Sequence, residues 1–236
     1  MLQDIELTIN PGDRIAILGR IGSGKSTLLR LLAGLYQPTQ GRVEVDGIDL
    51  RQIDPADFRA KVGFVTQEPR LFGGSLRDNV LLDRSAADAH HLPTVAQLTG
   101  LDRLVASHPM GWDLPVGERG ALLSGGQRQL VALARCLITS PQILLMDEPT
   151  SSMDAQTELA FLARLKTVVG QRTLVAVTHR PAVLELVTRL IVVDNGRVLM
   201  DGPKAQVMAA LSGQVPQPGS AGSPAARAPA HSGAAP

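Results

Sequence analysis

At 236 residues, 44% of them hydrophobic, the chain is long enough for one large α/β domain, or a domain with a small subdomain, around a sizeable core. A formal net charge of +1 gives no global sign of a nucleic-acid partner, and 3% aromatic residues argue against a base-stacking surface for single strands. The single cysteine, Cys136, cannot form an internal disulfide, and no apolar stretch approaches the roughly 18 residues that cross a bilayer, so the chain by itself is expected to be soluble and cytoplasmic. Leu2 to Ile9 alternates apolar and polar residues and turns at Asn10-Pro11-Gly12 into a short apolar strand, Ile15 to Leu18.

That strand runs into Gly19-Arg20-Ile21-Gly22-Ser23-Gly24-Lys25-Ser26-Thr27 and then into Leu28 to Ala33, whose apolar residues have helical spacing to about Leu35. Strand, glycine loop and helix are the context in which G-x-x-x-x-G-K-[ST] cradles phosphates. The glycines let the backbone curl with its N–H groups inward at a helix N-terminus, an anion nest. Lys25 reaches β- and γ-phosphate oxygens, and Ser26 offers a hydroxyl to Mg²⁺. Lysine is scarce here, four against nineteen arginines, so its presence in that slot carries weight. The stretch implies a nucleoside triphosphate site.

Beyond it, Arg42 to Val45 reads as a strand turning at Asp46-Gly47, Asp57 to Lys61 as a short helix, and Val62 to Thr66 as a strand. Leu76 to Leu104 is mainly helical, with breaks expected at Asp83 and Pro93. This is a candidate inserted helical subdomain ending near Glu118 or, with the next helix included, spanning about 76–140. That helix starts behind Ser124-Gly125-Gly126, buries Leu130, Leu133, Ala134, Leu137 and Ile138, and stops before Pro141. Ile143 to Met146 is a fully apolar, hence central, parallel strand. Asp154 to Val168 reads as a helix, Thr173 to Thr178 as a buried strand, and Leu190 to Met200 as a hairpin at Asn195-Gly196. From Gly213 to Pro236, 19 of 24 residues are Gly, Pro, Ala or Ser, which points to a disordered tail or linker.

Two further stretches carry chemistry. The strand Ile143 to Met146 ends in Asp147-Glu148, on the sheet rim where the phosphate loop also lies. Asp147 is placed to hold Mg²⁺, usually through water, and Glu148 to polarise a water attacking the γ-phosphate as general base. Ser124 is a good N-cap, and the amides of Gly125 and Gly126 make a second anion site. One nucleotide does not need two such sites from one molecule. The inference is that this helix end caps a phosphate bound to a second copy.

Together these residues closely resemble the nucleotide-binding domain of an ABC (ATP-binding cassette) transporter over about residues 1–212. Gly19 to Thr27 resembles Walker A, Gln67 the Q-loop, Leu123 to Gln127 the signature, Ile143 to Glu148 Walker B, Ser151 to Asp154 the D-loop, and His179 the switch histidine. The resemblance implies an α/β fold: a RecA-like P-loop NTPase core with an N-terminal antiparallel β subdomain and an inserted α-helical subdomain. It further implies ATP and Mg²⁺ as ligands and a head-to-tail dimer. Two ATP molecules would lie between Walker A of one copy and Ser124, Gly125, Gly126, Gln127 and Asp154 of the other. His179 would contact the γ-phosphate, and Gln67 would sense Mg²⁺ and the membrane partner.

Leu71 to Val80 and Val116 to Gly120 resemble exporter segments, and Gly47 to Asp57 with His108 to Pro115 look most like type I secretion ATPases. Such a domain works at the cytoplasmic face of the inner membrane through a transmembrane domain, fused upstream or separate, with a periplasmic adaptor and an outer-membrane channel as partners. Exporters place an adenine-stacking aromatic several residues before the position of Met1. Tyr36 cannot serve by position, so weaker base contacts are expected. An importer ATPase subunit is the alternative, against which the segments around Phe72 and Glu118 count. A soluble non-transport ABC ATPase is a further one, but Gln67 and Ser124 are too close to admit a coiled-coil or zinc insertion.

Overall fold

The computed structural model describes residues 2–82 and 89–213. In chain order these form β1 (Arg14–Leu18), α1 (Lys25–Leu32), β2 (Glu44–Val45), β3 (Ile48–Asp49), α2 (Pro55–Lys61), β4 (Val62–Val65), α3 (Leu76–Leu81), α4 (Leu92–Thr99) and α5 (Leu101–Ser107). There follow α6 (Gly125–Leu137), β5 (Ile143–Asp147), α7 (Ala155–Val169), β6 (Thr173–Val177), α8 (Pro181–Leu184), β7 (Arg189–Asp194), β8 (Arg197–Pro203) and α9 (Lys204–Leu211).

Six strands make one sheet in the order β4-β5-β6-β1-β7-β8. Every neighbouring pair is parallel except the β7–β8 hairpin at the edge. Its turn residues Asn195 and Gly196 both have positive φ, 47° and 79°, the twist that joins two strands through two residues. Between their end residues the central strands β1, β5 and β6 are apolar because both faces are covered, and successive side chains serve opposite faces. Ile15, Ile17, Leu145, Val175, Val177, Ile191 and Val193 meet Leu28 and Leu29 of α1. Ala16, Leu144, Met146, Leu174, Ala176 and Leu190 meet Leu133 of α6 and Phe161 and Leu165 of α7 on the other side. Each large side chain so buried contributes about 1.5–3 kcal/mol.

This order decides where the chemistry falls. β6 lies between β1 and β5, so whatever follows β6 emerges between the residues that follow β1 and those that follow β5. Parallel strands put all three of those ends on one rim.

Several expectations are refined. The alternating run 2–9 joins no ladder among the described residues. Leu2, Ile5, Leu7 and Ile9 pack on the α1 face of the sheet, and Asp4, at φ 51°, shifts the alternation between Leu2 and Ile5. Antiparallel structure on this side takes the form of the β2–β3 hairpin, turning at Asp46-Gly47 as its sequence requires. Pro93 does not break a helix: it sits in the first turn of α4, where its missing N–H costs nothing. The break falls at Gly100, left-handed at φ 83° between α4 and α5. The break expected at Asp83, and the tail from 214 onward, lie outside the described residues. No described helix is long and apolar enough to cross a membrane.

Candidate active site

Gly19 leaves β1 at φ 149°, where an added Cβ would stand 2.0 Å from the Val193 carbonyl oxygen; no side chain fits there. Gly24 caps α1 at φ 105°, again a glycine conformation. The loop thus turns back on itself and delivers α1 with its first amides free. Inside it, Lys25 is buried and its Nζ donates 2.8 Å hydrogen bonds to the carbonyls of Gly19 and Arg20. Burial holds the ammonium below its usual pKa, an effect opposed by attraction to Glu148 and Asp147. The Ser23 hydroxyl is buried and has no partner among the described residues. A buried hydroxyl without a partner among the described residues and a lysine hydrogen-bonded to loop carbonyls are donors suited to phosphate oxygens. Ile21, at the tip, is 96% exposed.

Ser26 Oγ lies 3.1 Å from Asp147 Oδ1, so the hydroxyl after the lysine and the buried carboxylate ending β5 meet across the sheet edge. A hydroxyl and a carboxylate beside a phosphate loop are the hard oxygen ligands Mg²⁺ takes, with waters completing its octahedron. Among the described residues no group of three or more His, Cys, Asp or Glu side chains forms a metal cage.

Glu148 follows in the left-handed region at φ 47°, a conformation costly for a side-chain-bearing residue. Its N–H donates to Val177 O at 2.9 Å, and its own carbonyl accepts from Ser151 N–H at 3.1 Å. The kink brings its side chain to His179: Oε1 is 3.4 Å from Nε2, and Oε2 accepts from the His179 N–H at 3.4 Å. The histidine side chain is half exposed and the glutamate largely buried.

Gln67 follows β4 and is exposed; its carbonyl accepts a 2.9 Å bond from Gln129 Nε2 on α6. Ser124 caps α6 in a capping box: Ser124 Oγ accepts from Gln127 N–H at 3.2 Å, and Gln127 Oε1 from Ser124 N–H at 2.8 Å. Gly125 and Gly126 have a second reason to be glycine. An added Cβ at Gly125 would stand 2.9 Å from Ser152 Cβ and carbonyl oxygen, and one at Gly126 3.1 Å from Thr157 Cγ2. Asp154 caps α7, accepting from Thr157 N–H at 2.9 Å and Thr157 Oγ1 at 2.6 Å. Lys25, Ser26, Asp147, Glu148 and His179 therefore gather on one rim. Gly125 lies against Ser152 and Gly126 against Thr157 and Met153, and no hydrogen bond joins residues 124–127 to residues 19–27 among the described residues.

Gln129 and Glu158 are two of several buried polar residues that the sequence did not single out. Gln129 is fully buried on α6, and Glu158 is buried on the face of α7 that carries Phe161, Leu162 and Leu165. A polar residue in an apolar helical stripe was the signal available for both.

A parallel sheet with a glycine loop after β1, and an acidic strand end separated from it by one strand, defines a P-loop nucleoside triphosphatase. The chain belongs to the ABC transporter family, whose model matches residues 2–151. Over 210 residues it is 43% identical to the mycobactin import ATP-binding/permease protein IrtB of Mycolicibacterium smegmatis, covering 89% of this chain and 36% of that protein. It is 37% identical over 209 residues to the cyclolysin secretion/processing ATP-binding protein CyaB of Bordetella pertussis, covering 89% of this chain and 29% of the relative. Its fold matches a bacterial Atm1-family ABC exporter with ATP bound, at a TM-score of 0.80 and 34% identity, over 89% of this chain and 36% of that one. The chain thus spans about a third of the length of these relatives, as an ATP-binding domain homologous to those of ABC exporters.

Proposed function

We propose that this domain is the ATP-hydrolysing motor of an ABC exporter, working as a head-to-tail pair of copies with two ATP molecules clamped between them. The observation that carries the reading is the Glu148–His179 pair set on the same rim as Lys25, Ser26 and Asp147. In it, Lys25 leaves the carbonyls of Gly19 and Arg20 for the β- and γ-phosphate oxygens, while the amides of residues 19–27 and the Ser23 hydroxyl complete the cradle. Glu148 accepts a proton from a water whose oxygen bonds to the γ-phosphorus as the bond to the β–γ bridging oxygen breaks, giving ADP and phosphate. His179 steadies the Glu148 carboxylate and donates toward the γ-phosphate. Ser26, Asp147 and Gln67 would hold Mg²⁺, whose bound charge offsets that of the β- and γ-phosphate oxygens. Ser124, Gly125, Gly126, Gln127 and Asp154 of the second copy close over the nucleotide.

Residues 1–212 form the working domain in this reading, with helices about 76–140 as its inserted subdomain and 213–236 as a linker or tail. The transmembrane partner places it at the cytoplasmic face of the membrane, and Gln67 relays nucleotide state to that partner. Type I protein secretion, with a periplasmic adaptor and an outer-membrane channel, is the finer proposal. It is supported by the likeness to a cyclolysin secretion protein. Import is the second reading, because the 43% identical relative is named for mycobactin import. The test is the Glu148→Gln variant with ATP and Mg²⁺. It should lose steady-state hydrolysis and elute as a dimer in gel filtration; hydrolysis at the wild-type rate would remove Glu148 from the mechanism.

A further inference from the structure

The turn that carries His179 is short and leaves the sheet, because ladder pairing of β6 ends at Val177. Something other than the sheet must hold it. Within the turn, Arg180 N–H donates to the buried Thr178 Oγ1 at 3.0 Å. The Arg180 side chain reaches outward from there: Nη1 lies 3.2 Å from Glu158 Oε2, and Nη2 donates to the Ser151 carbonyl at 3.3 Å. Glu158 is itself buried on α7, and its other oxygen accepts a 2.6 Å bond from the fully buried Thr150 hydroxyl. A carboxylate buried in an apolar helical face is costly unless both oxygens are paired, and here they are. The guanidinium fork suits this arrangement, bonding the carboxylate and a carbonyl at once, which a lysine does not match.

We propose that Arg180 is a positioning residue for hydrolysis. Through Glu158 and the Ser151 carbonyl it straps the turn bearing His179 to the segment 150–154, which leads directly out of Glu148. Arg180 bonds neither to Glu148 nor to the phosphate loop among the described residues, so it acts only through the geometry of its neighbour. With the strap in place, the Glu148 and His179 contacts at 3.4 Å are held from both sides. The inference rests on the reading of Glu148 and His179 as the hydrolytic pair. Because Ser152 also abuts Gly125, the strap fixes the Ser151–Asp154 segment against the start of α6.

The test is a set of variants of the full chain: Arg180→Ala, Arg180→Lys, Glu158→Gln, His179→Ala and the double variant with both His179→Ala and Arg180→Ala. ATP hydrolysis, ATP binding and thermal unfolding are measured for each. Arg180→Ala should lower kcat by roughly tenfold to a hundredfold, the effect of displacing a reacting group by about 1 Å, while ATP affinity stays near that of the parent. Glu158→Gln should act the same way, and Arg180→Lys should recover part of the rate. In the His179→Ala background, Arg180→Ala should change the residual rate no further. A general folding role would instead lower the melting temperature and ATP binding together and would add to the His179→Ala defect, and either result overturns the proposal. An unchanged kcat in Arg180→Ala with His179→Ala inactive overturns the strap alone. A fully active His179→Ala overturns the hydrolytic pair and the strap with it.

Discussion

Glu148 and His179 meet twice, once between side chains and once between the Glu148 carboxylate and the His179 backbone, both at 3.4 Å. The first residue past β5 is bent into a left-handed conformation, and the second residue past β6 lies beside it. Strain at Glu148 is thus part of what aims the carboxylate. Glycine at this position escapes the left-handed penalty, of about 1–2 kcal/mol, but gains freedom in the unfolded chain worth about 0.5–1 kcal/mol. Glu148→Gly should therefore unfold at higher denaturant than Glu148→Gln, by up to about 1.5 kcal/mol, with both inactive. Lower stability in the glycine variant would show that the backbone is not strained.

Lys25 carries a buried charge that burial alone disfavours. Its pKa in the folded chain lies below the ordinary value, so the charge costs the fold stability at every pH below the folded value. That cost fades as pH rises through the window between the folded value and the ordinary one of about 10.4. Lys25→Met removes the charge. Its unliganded form should be at least as stable as the parent near neutral pH, while ATP with Mg²⁺ should no longer raise its melting temperature. A retained ATP-induced shift would take Lys25 out of the phosphate site.

Gly125 is packed against Ser152 of its own chain so closely that a methyl group has no room. Gly125→Ala should displace the Ser151–Asp154 segment, cost about 1–3 kcal/mol of stability and depress ATP turnover. Unchanged turnover would mean that the start of α6 and this segment move independently.

Asp154 caps α7, and hydrogen bonds from the Thr157 side chain and N–H hold its carboxyl below the usual carboxylate range. Its contribution is complete above the unfolded value of about 3.9 and is lost as pH falls from there through the lower folded value. Asp154→Asn keeps a capping oxygen without the charge. Acid unfolding of the parent should therefore be steeper than that of the variant in this window. Identical acid limbs would exclude Asp154 as a contributor.

Much of this was legible because the elements that build the site are the ones with the strongest local patterns. The apolar stretches 15–17, 144–146 and 174–177 are buried on both faces, Gly19 has no room for a side chain, and Gly24 holds a backbone conformation that favours glycine. Ser124 and Asp154 act as caps, as their side chains suggest. What stayed hidden depends on packing between segments far apart in sequence. Nothing in Gly125 itself says that Ser152 lies against it, nor in Arg180 that Glu158 and Thr150 wait 20 to 30 residues earlier. The run at 2–9 has the alternation of a strand without a ladder among the described residues, since burial of one side chain in two requires only a surface to lie on.

Whether each ATP is held by two copies is tested most directly by mixing two inactive variants. Lys25→Ala loses the phosphate cradle and keeps a sound α6 start; Ser124→Arg loses the α6 start and keeps the cradle. In a head-to-tail pair of one of each, both defects fall in the same site and the other site is whole. ATP turnover measured on the mixture should therefore reappear where neither variant alone shows it. A mixture as inactive as its components would contradict the shared site.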